Sequence, residues 1–318
     1  MNTSYTYLRL SITDQCNFNC FYCLPAQRLH LLKDKDHLSF DEVFTLVSSL
    51  VDSGIRHVRL TGGEPLQRPQ VVSFAKRLSA IPGLELLSLT TNGFGLSKAL
   101  SGLKESGVSS INISLDTLKR ARFKRLTGVD GFLKVKEALV KAAGSGFRHV
   151  KLNCIVMKGF NDDEILDFVQ LGSKYCLDVR FIEFFPTHGR CDSLKQIFFP
   201  SSTVKKMISD AYGRLEPLGS DPFCGPAQYF KLGRKPGRIG FISSVTDFFC
   251  GTCNRLRLTS DGKLYPCLHS DHCADLKVPL RATDNVRLAD LIENTIADKK
   301  MFNKTQCKRA FEMSSIGG

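Results

Sequence analysis

From Tyr7 onward the apolar positions fall into short runs that alternate or stand unbroken, separated by longer stretches with helical spacing. Six such runs, YLRLSIT, HVRLT, LLSLTT, SINISL, HVKLNCIV and DVRFIEFF, predict strands up to Phe185. Between them residues 39–53, 69–80, 132–143 and 161–175 predict helices. Two of these open on a capping pattern, Ser39 with Glu42 and Asn161 with Glu164. Strands that alternate with helices require right-handed crossovers and build a parallel sheet, doubly wound or rolled up. Polar or glycine-rich motifs follow successive runs at residues 13–16, 61–64, 90–93, 114–116 and from 183 onward. Strand ends that carry motifs in this way converge on the mouth of a barrel. The expected fold is therefore α/β, an incomplete (β/α)6 TIM-type barrel.

After Phe185 the rhythm breaks. A loop-like PTHGRCDS precedes a helical stretch at residues 202–212, and proline and glycine punctuate GSDPFCGP and GRKPGR. RLRLTSDGKLYPCL reads as a hairpin with Asp261-Gly262 at its turn, followed by a final helical segment. The expected division is a barrel over residues 1–190 and a smaller C-terminal module over residues 191–318.

Composition narrows the class. Hydrophobic residues make up 42% and charged residues 24%, as in an ordinary globular protein. No run of eighteen apolar residues and no signal-peptide pattern is present, which predicts a cytoplasmic protein without a membrane span. Net charge is +13, which favours an anionic partner: nucleic acid, a membrane surface or a phosphorylated small molecule. Basic residues are spread along the chain and form no dense block, which weighs against nucleic acid.

Twelve cysteines in a chain of a reducing compartment point to metal more readily than to disulfides. Six form two tight groups, Cys16/Cys20/Cys23 and Cys250/Cys253/Cys267. Cys154, Cys176, Cys191, Cys224, Cys273 and Cys307 are scattered and read as small buried hydrophobes or surface thiols. Three close thiolates directly after the first strand suit a cubane of four irons that keeps one iron open. S-adenosylmethionine (SAM) can occupy that iron through its amino and carboxylate groups. A zinc knuckle is the alternative, but only one CxxC pair, Cys20/Cys23, is present in this group. The spacing, with Tyr22 before the last cysteine, resembles the radical SAM superfamily signature. Thr61-Gly62-Gly63-Glu64-Pro65 after the second strand resembles that superfamily's GGEP motif. The resemblance implies that the backbone around Gly63 accepts the SAM ammonium and that Ser114 lies near SAM's other groups.

The second group again offers three soft ligands. A zinc ribbon completed by Cys273, His269 or His272 is the alternative on spacing alone. Cys253 is followed by Asn254-Arg255-Leu256-Arg257, which places two arginines on one face of a strand, and guanidinium pairs bind phosphate oxygens bidentately. With these features the whole chain resembles the GTP 3′,8-cyclase family, which opens molybdenum cofactor biosynthesis. The segments that carry the likeness are LRLSITDQCNFNCFYCLP, VRLTGGEPLQR, LTTNG, INISLDTL, KLNCIVMKGFN, VRFIEF, GRIGFISSVTDFFCGTCNRLRLTSDGKLYPCL and the terminal Gly317-Gly318.

That resemblance implies two [4Fe-4S] clusters, one on each cysteine triad. SAM on the first would be contacted by Tyr22, Gly63, Ser114 and Phe185, and GTP would sit at the second. It implies that a 5′-deoxyadenosyl radical takes the ribose 3′ hydrogen of GTP, and that ring closure to C8 gives (8S)-3′,8-cyclo-7,8-dihydro-GTP. Arg9, Arg59, Thr90, Lys151, Arg255, Leu256 and Arg257 would hold GTP. Arg9, Lys151, Arg180, Gly317 and Gly318 would serve catalysis, the two glycines by threading into the active site. Implied partners are an electron donor such as flavodoxin or ferredoxin, cyclic pyranopterin monophosphate synthase as receiver of the product, and a second copy in a homodimer. At Phe185 relatives carry a Met, and PTHGRCDS does not match the family pattern. The competing readings are a peptide-modifying radical SAM enzyme with an auxiliary cluster and a basic RNA-binding metalloprotein.

Overall fold

The computed structural model of the protein describes residues 5–23, 32, 36–185, 196–219, 225–247 and 250–301. Its strands, in chain order, are β1 (Tyr7–Ser11), β2 (His57–Thr61), β3 (Leu86–Thr91), β4 (Val108–Ser114), β5 (His149–Val156) and β6 (Asp178–Glu183). They continue with β7 (Leu215–Pro217), β8 (Gln228–Leu232), β9 (Arg238–Ile242), β10 (Arg255–Leu258), β11 (Lys263–Tyr265) and β12 (Ala274–Asp275). The helices are α1 (Phe40–Asp52), α2 (Val71–Ser79), α3 (Leu96–Glu105), α4 (Arg120–Thr127), α5 (Phe132–Ala143) and α6 (Ile165–Tyr175). Three more follow: α7 (Ser201–Tyr212), α8 (Lys277–Arg281) and α9 (Asn285–Met301). Each of the six predicted strands is present, and strand and helix alternate through β6, so the chain is the α/β protein with a parallel sheet that its sequence predicts. No described helix is long and apolar enough to cross a membrane.

Contacts group the chain into two compact units. One comprises residues 1–90, 101–109 and 252–318, and the other residues 91–100 and 110–251. In the first, the strand order is β12-β11-β10-β1-β2-β3, with β10, β1, β2 and β3 parallel and the last two strands of the chain antiparallel. The hairpin predicted at Asp261-Gly262 is formed by β10 and β11, and Gly262 takes the positive φ of 93° that its turn requires. The sequence did not indicate that β10 lies beside β1, some 250 residues earlier in the chain. In the second unit the order is β4-β5-β6-β9-β8-β7, with β9 parallel to β6. Here β7, β8 and β9 occupy a region the sequence pattern marked only by its turns, because Pro217 in β7, Lys231 in β8 and Gly240 in β9 interrupt the apolar alternation.

Amphipathic helices supply the rest of the core. In α1, Ser39 and Glu42 form the predicted capping box: Glu42 N–H donates to Ser39 Oγ at 3.1 Å and Ser39 N–H to Glu42 Oε2 at 2.7 Å. This helix buries Val43, Leu46, Val47, Leu50 and Val51. The second predicted cap does not form. Asn161 precedes a short 3-10 turn, and its amide instead donates to the Asp116 carbonyl at 2.5 Å and accepts from Met157 N–H at 2.7 Å. Glu164, fully buried, accepts from Thr117 Oγ1, Leu118 N–H and Arg122. Both side chains were drawn away from the helix by buried donors and acceptors of the loop after β4, which carries a larger desolvation cost if left unpaired.

Candidate radical and phosphate-binding site

In the first unit the strands have two chemically distinct faces. One carries Leu8, Leu10, Val58, Leu60, Leu87, Leu89, Leu256 and Leu258, all essentially inaccessible. The other carries Tyr7, Arg9 and Ser11 on β1, Arg255 and Arg257 on β10, His57, Arg59 and Thr61 on β2, and Ser88 and Thr90 on β3. Register places Arg257, Arg9, Arg59 and Ser88 in one row across four parallel strands. Neighbouring strands stand about 4.8 Å apart, so three guanidinium stems leave the sheet side by side. Arg59 and Arg257 are buried while Arg9 is half-buried. Burial, and after it the charges of Arg9 and Arg255, hold the pKa of Arg257 well below its ordinary value. A guanidinium keeps its proton even so, and the row amounts to concentrated positive charge that an anion would relieve.

Cys16, Cys20 and Cys23 lie just beyond the C-terminal end of β1 and are all half-buried. Phe18 N–H donates to Cys16 Sγ at 3.4 Å and Cys23 N–H to the Cys20 carbonyl at 3.0 Å, which curls the loop. The GGEP glycines brace it from the side: Gly63 N–H donates to the Thr13 carbonyl at 2.7 Å and Glu64 N–H to the Gln15 carbonyl at 2.8 Å. A Cβ on Gly63 would stand 2.2 Å from Gln15 O, and one on Gly62, whose φ is 150°, 2.4 Å from Thr13 O. Only glycine allows this approach.

Cys253 precedes β10, and the β10–β11 hairpin returns Cys267 toward the same end, since Arg257 pairs with Tyr265 and feels the charges of both thiols. Burial pushes the Cys253 thiol up, but Arg255 and Lys299 beside it pull it down to about 6. Lys299 Nζ, from α9, lies 3.6 Å from Cys253 Sγ. Cys250, in the short 3-10 turn before it, is exposed and falls in the second unit. Among the described residues no group of three His, Cys, Asp or Glu side chains is gathered as a single-ion site. A cubane makes a different demand, three thiolates spread around it with each on its own iron, and Cys16, Cys20 and Cys23 supply three thiols in one loop at a strand end.

In the second unit, β4, β5 and β6 present another polar row. Asn112 pairs in register with Lys151 and Lys151 with Asp178. Ser114 pairs with Asn153, and Asn153 with Arg180. Lys151 is 1% exposed. Arg180 donates from Nε to Asn153 Oδ1 at 2.7 Å and lies over Gly240, where a Cβ would stand 2.9 Å from Arg180 Cγ. Among the described residues, Asn112 Oδ1 is buried without a partner. Phe185 follows β6 and is half-buried.

The structure therefore gathers Arg9, Arg59, Thr90, Arg255 and Arg257 on one face of the first unit, and Ser114, Lys151 and Arg180 on one face of the second. Leu256 does not join them. Its side chain points to the aliphatic face beside Leu8, so only its backbone is available to a ligand. Gly317 and Gly318 lie outside the described residues. Tyr7, His57, Ser88 and Lys299 were missed from the sequence. The first two were legible in outline, since Tyr7 has the parity of Arg9 and His57 that of Arg59, whereas Lys299 is brought to Cys253 by tertiary packing.

The Radical SAM superfamily model matches residues 10–172, and the Molybdenum Cofactor Synthesis C model matches residues 177–305. A curated GTP 3′,8-cyclase from Moorella thermoacetica is 43% identical over 317 residues, covering 98% of this chain and 97% of its own length. The chain belongs to the GTP 3′,8-cyclase family. Another member, from Thermodesulfovibrio yellowstonii, is 41% identical over 321 residues and is covered to 98%. Molybdenum cofactor biosynthesis protein 1 of Mus musculus is 41% identical over 313 residues, of which this chain spans about half, 48%. Among solved structures, Streptococcus suis SuiB bound to S-adenosylmethionine superposes with a TM-score of 0.67 over 96% of this chain and 71% of SuiB, at 13% identity, and shares its fold. Membership in the radical SAM superfamily implies a [4Fe-4S] cluster and SAM, and Cys16, Cys20 and Cys23 are the donor set that fits it.

Proposed function

We propose that the protein is a radical SAM GTP 3′,8-cyclase that converts GTP to (8S)-3′,8-cyclo-7,8-dihydro-GTP in the first step of molybdenum cofactor biosynthesis. The observation that carries this reading is the row Arg257–Arg9–Arg59, set on the strand pair that has one cysteine triad at the end of β1 and Cys253 and Cys267 at the start of β10. A triphosphate supplies the several negative charges that such a row needs, and its oxygens accept bidentate bonds from each fork. When bound, the first cluster and SAM supply one-electron chemistry that yields a 5′-deoxyadenosyl radical.

The residues of the chain hold and orient. Arg9, Arg59, Arg255 and Arg257 bind the triphosphate, with Thr90 and the Leu256 backbone beside them and Lys151 assigned to the same ligand. Tyr22, Gly63, Ser114 and Phe185 receive SAM. Arg180, with Lys151 and Arg9, serves the radical step, and Gly317 and Gly318 thread into the active site. Cys250, Cys253 and Cys267 hold a second [4Fe-4S] cluster, in a C-terminal module from residue 191. The proposed partners are a flavodoxin or ferredoxin as reductant, cyclic pyranopterin monophosphate synthase as receiver of product, and a second copy as homodimer, in the cytoplasm. A peptide-modifying activity draws only on the fold shared with SuiB.

Anaerobic reconstitution tests the reading: about eight irons are expected from two cubanes, with 5′-deoxyadenosine released only when GTP is present. One zinc in place of iron, or SAM cleavage indifferent to GTP, would overturn it. Removal of Gly317 and Gly318 is expected to preserve GTP binding and abolish turnover.

A further inference from the structure

Tyr7 belongs to none of the motifs, yet it sits between the arginine strands. It is 5% exposed, and its ring stacks on His57 with centroids 4.2 Å apart and planes 13° from parallel. His57 Nε2 is in turn 2.6 Å from Ser88 Oγ, which fixes the imidazole edge. The Tyr7 hydroxyl oxygen accepts a hydrogen bond from Arg59 Nε.

Arg59 is 2% exposed, and among the described residues its other hydrogen bond is a long one from Nη1 to the Leu89 carbonyl, at 3.4 Å. Among the described residues no carboxylate pairs with it. A buried guanidinium in that condition is stabilised only when an anion arrives. The group is planar, so a bond that pins Nε also sets the plane of both Nη atoms. The Nε edge is committed to Tyr7, and the Nη edge is left for a ligand.

We propose that Tyr7 is the positioning residue that aims Arg59 at the phosphate chain of the nucleotide, resting on the GTP-cyclase reading above. The surroundings of Tyr7 add a pH dependence. Burial pushes its phenol up, but Arg59, Arg9 and Arg255 draw it down to about 8. The charged or titratable groups facing it are Arg59 and His57 from β2, Arg9 from its own strand and Arg255 from β10. A phenolate at Tyr7 would neutralise Arg59 from the Nε side and compete with phosphate. Bound phosphate, conversely, holds the proton on the phenol.

The test is anaerobic titration of reconstituted enzyme, wild type and Tyr7→Phe, with GTP and with guanosine. Tyr7→Phe is expected to lose roughly tenfold in GTP affinity, the loss of one bond to a charged group, with guanosine affinity and iron content unchanged. Wild-type GTP affinity should fall above about pH 8, and that alkaline limb should be absent from the variant. In an Arg59→Lys background, which has no Nε, Tyr7→Phe should have no further effect. Equal loss for GTP and guanosine, full additivity with Arg59→Lys, or unchanged GTP affinity would each overturn the assignment of Tyr7. A wild-type enzyme that binds no GTP would instead sink the functional reading itself.

Discussion

Arg9 and Arg257 occupy the same register on adjacent parallel strands and carry like charges that act on each other. Such a pair repels and favours an anion, most strongly at low salt. Replacing Arg257 with Leu, which removes a buried charge, is expected to raise the melting temperature of the ligand-free protein by a few degrees, corresponding to ~1 kcal/mol. The same variant should lose most of the stabilisation that GTP gives the wild type. Differential scanning fluorimetry with and without GTP measures both, and an undiminished GTP shift would remove Arg257 from the binding row.

Iron content should divide by triad. Cys16→Ala and Cys267→Ala are each expected to lose about four irons of about eight. SAM binding should be lost only in the first variant. A single variant that empties both sites would show the triads to be one site.

Gly63 is held against the Thr13–Gln15 backbone, where a methyl group has no room. A backbone carbonyl cannot step aside as a flexible side chain can. Gly63→Ala is therefore expected to destabilise the protein by roughly 1–3 kcal/mol and to lower iron retention at the first triad more than at the second. Calorimetry and the decay of cluster absorbance, with Cys267→Ala as background, separate the two effects.

Glu183, at the end of β6, is buried and accepts from Ser201 N–H, Val245 N–H, Thr246 N–H and Thr246 Oγ1. Burial alone would raise its pKa, but these bonds favour the carboxylate and hold it below the ordinary value. The group binds its proton less readily folded than unfolded, so its stabilisation is complete above the ordinary carboxylate pKa and is lost as pH falls through the depressed one. Glu183→Gln places an amide donor among backbone donors and should lower stability at neutral pH by about 1–3 kcal/mol. The difference from wild type should shrink in acid, as melting curves carried from neutral pH to well below about pH 4 would record. A gap independent of pH would mean that the carboxylate charge does not matter there.

The alternation of HVRLT and YLRLSIT was enough to assign strands and to put Arg9 and Arg59 on the polar side of each, because side-chain direction in a strand depends on sequence parity alone. The capping box at Ser39 and the Asp261-Gly262 turn were equally legible, each being satisfied within a few residues. Asn161 and Glu164 show the limit of that logic. They match a helix cap, yet their partners Asp116, Thr117 and Leu118 lie 45 to 47 residues away in the chain, and burial made those distant bonds the stronger claim.

The sequence by itself determined the two cysteine triads, the glycine pair Gly62-Gly63 and the arginine pair after Cys253, since spacing along one loop or strand is a local property. Tertiary structure decided which strand stands beside which. The parallel pairing of β10 with β1 brings Arg257 level with Arg9, β2 adds Arg59 on the other side, Tyr7 and His57 stack across that second boundary, and α9 delivers Lys299 to Cys253. No local pattern encodes these contacts, because register between strands is set by which apolar faces can be buried together. The six leucines at Leu8, Leu10, Leu60, Leu89, Leu256 and Leu258 share that buried face, and the polar residues between them are held in line on the other.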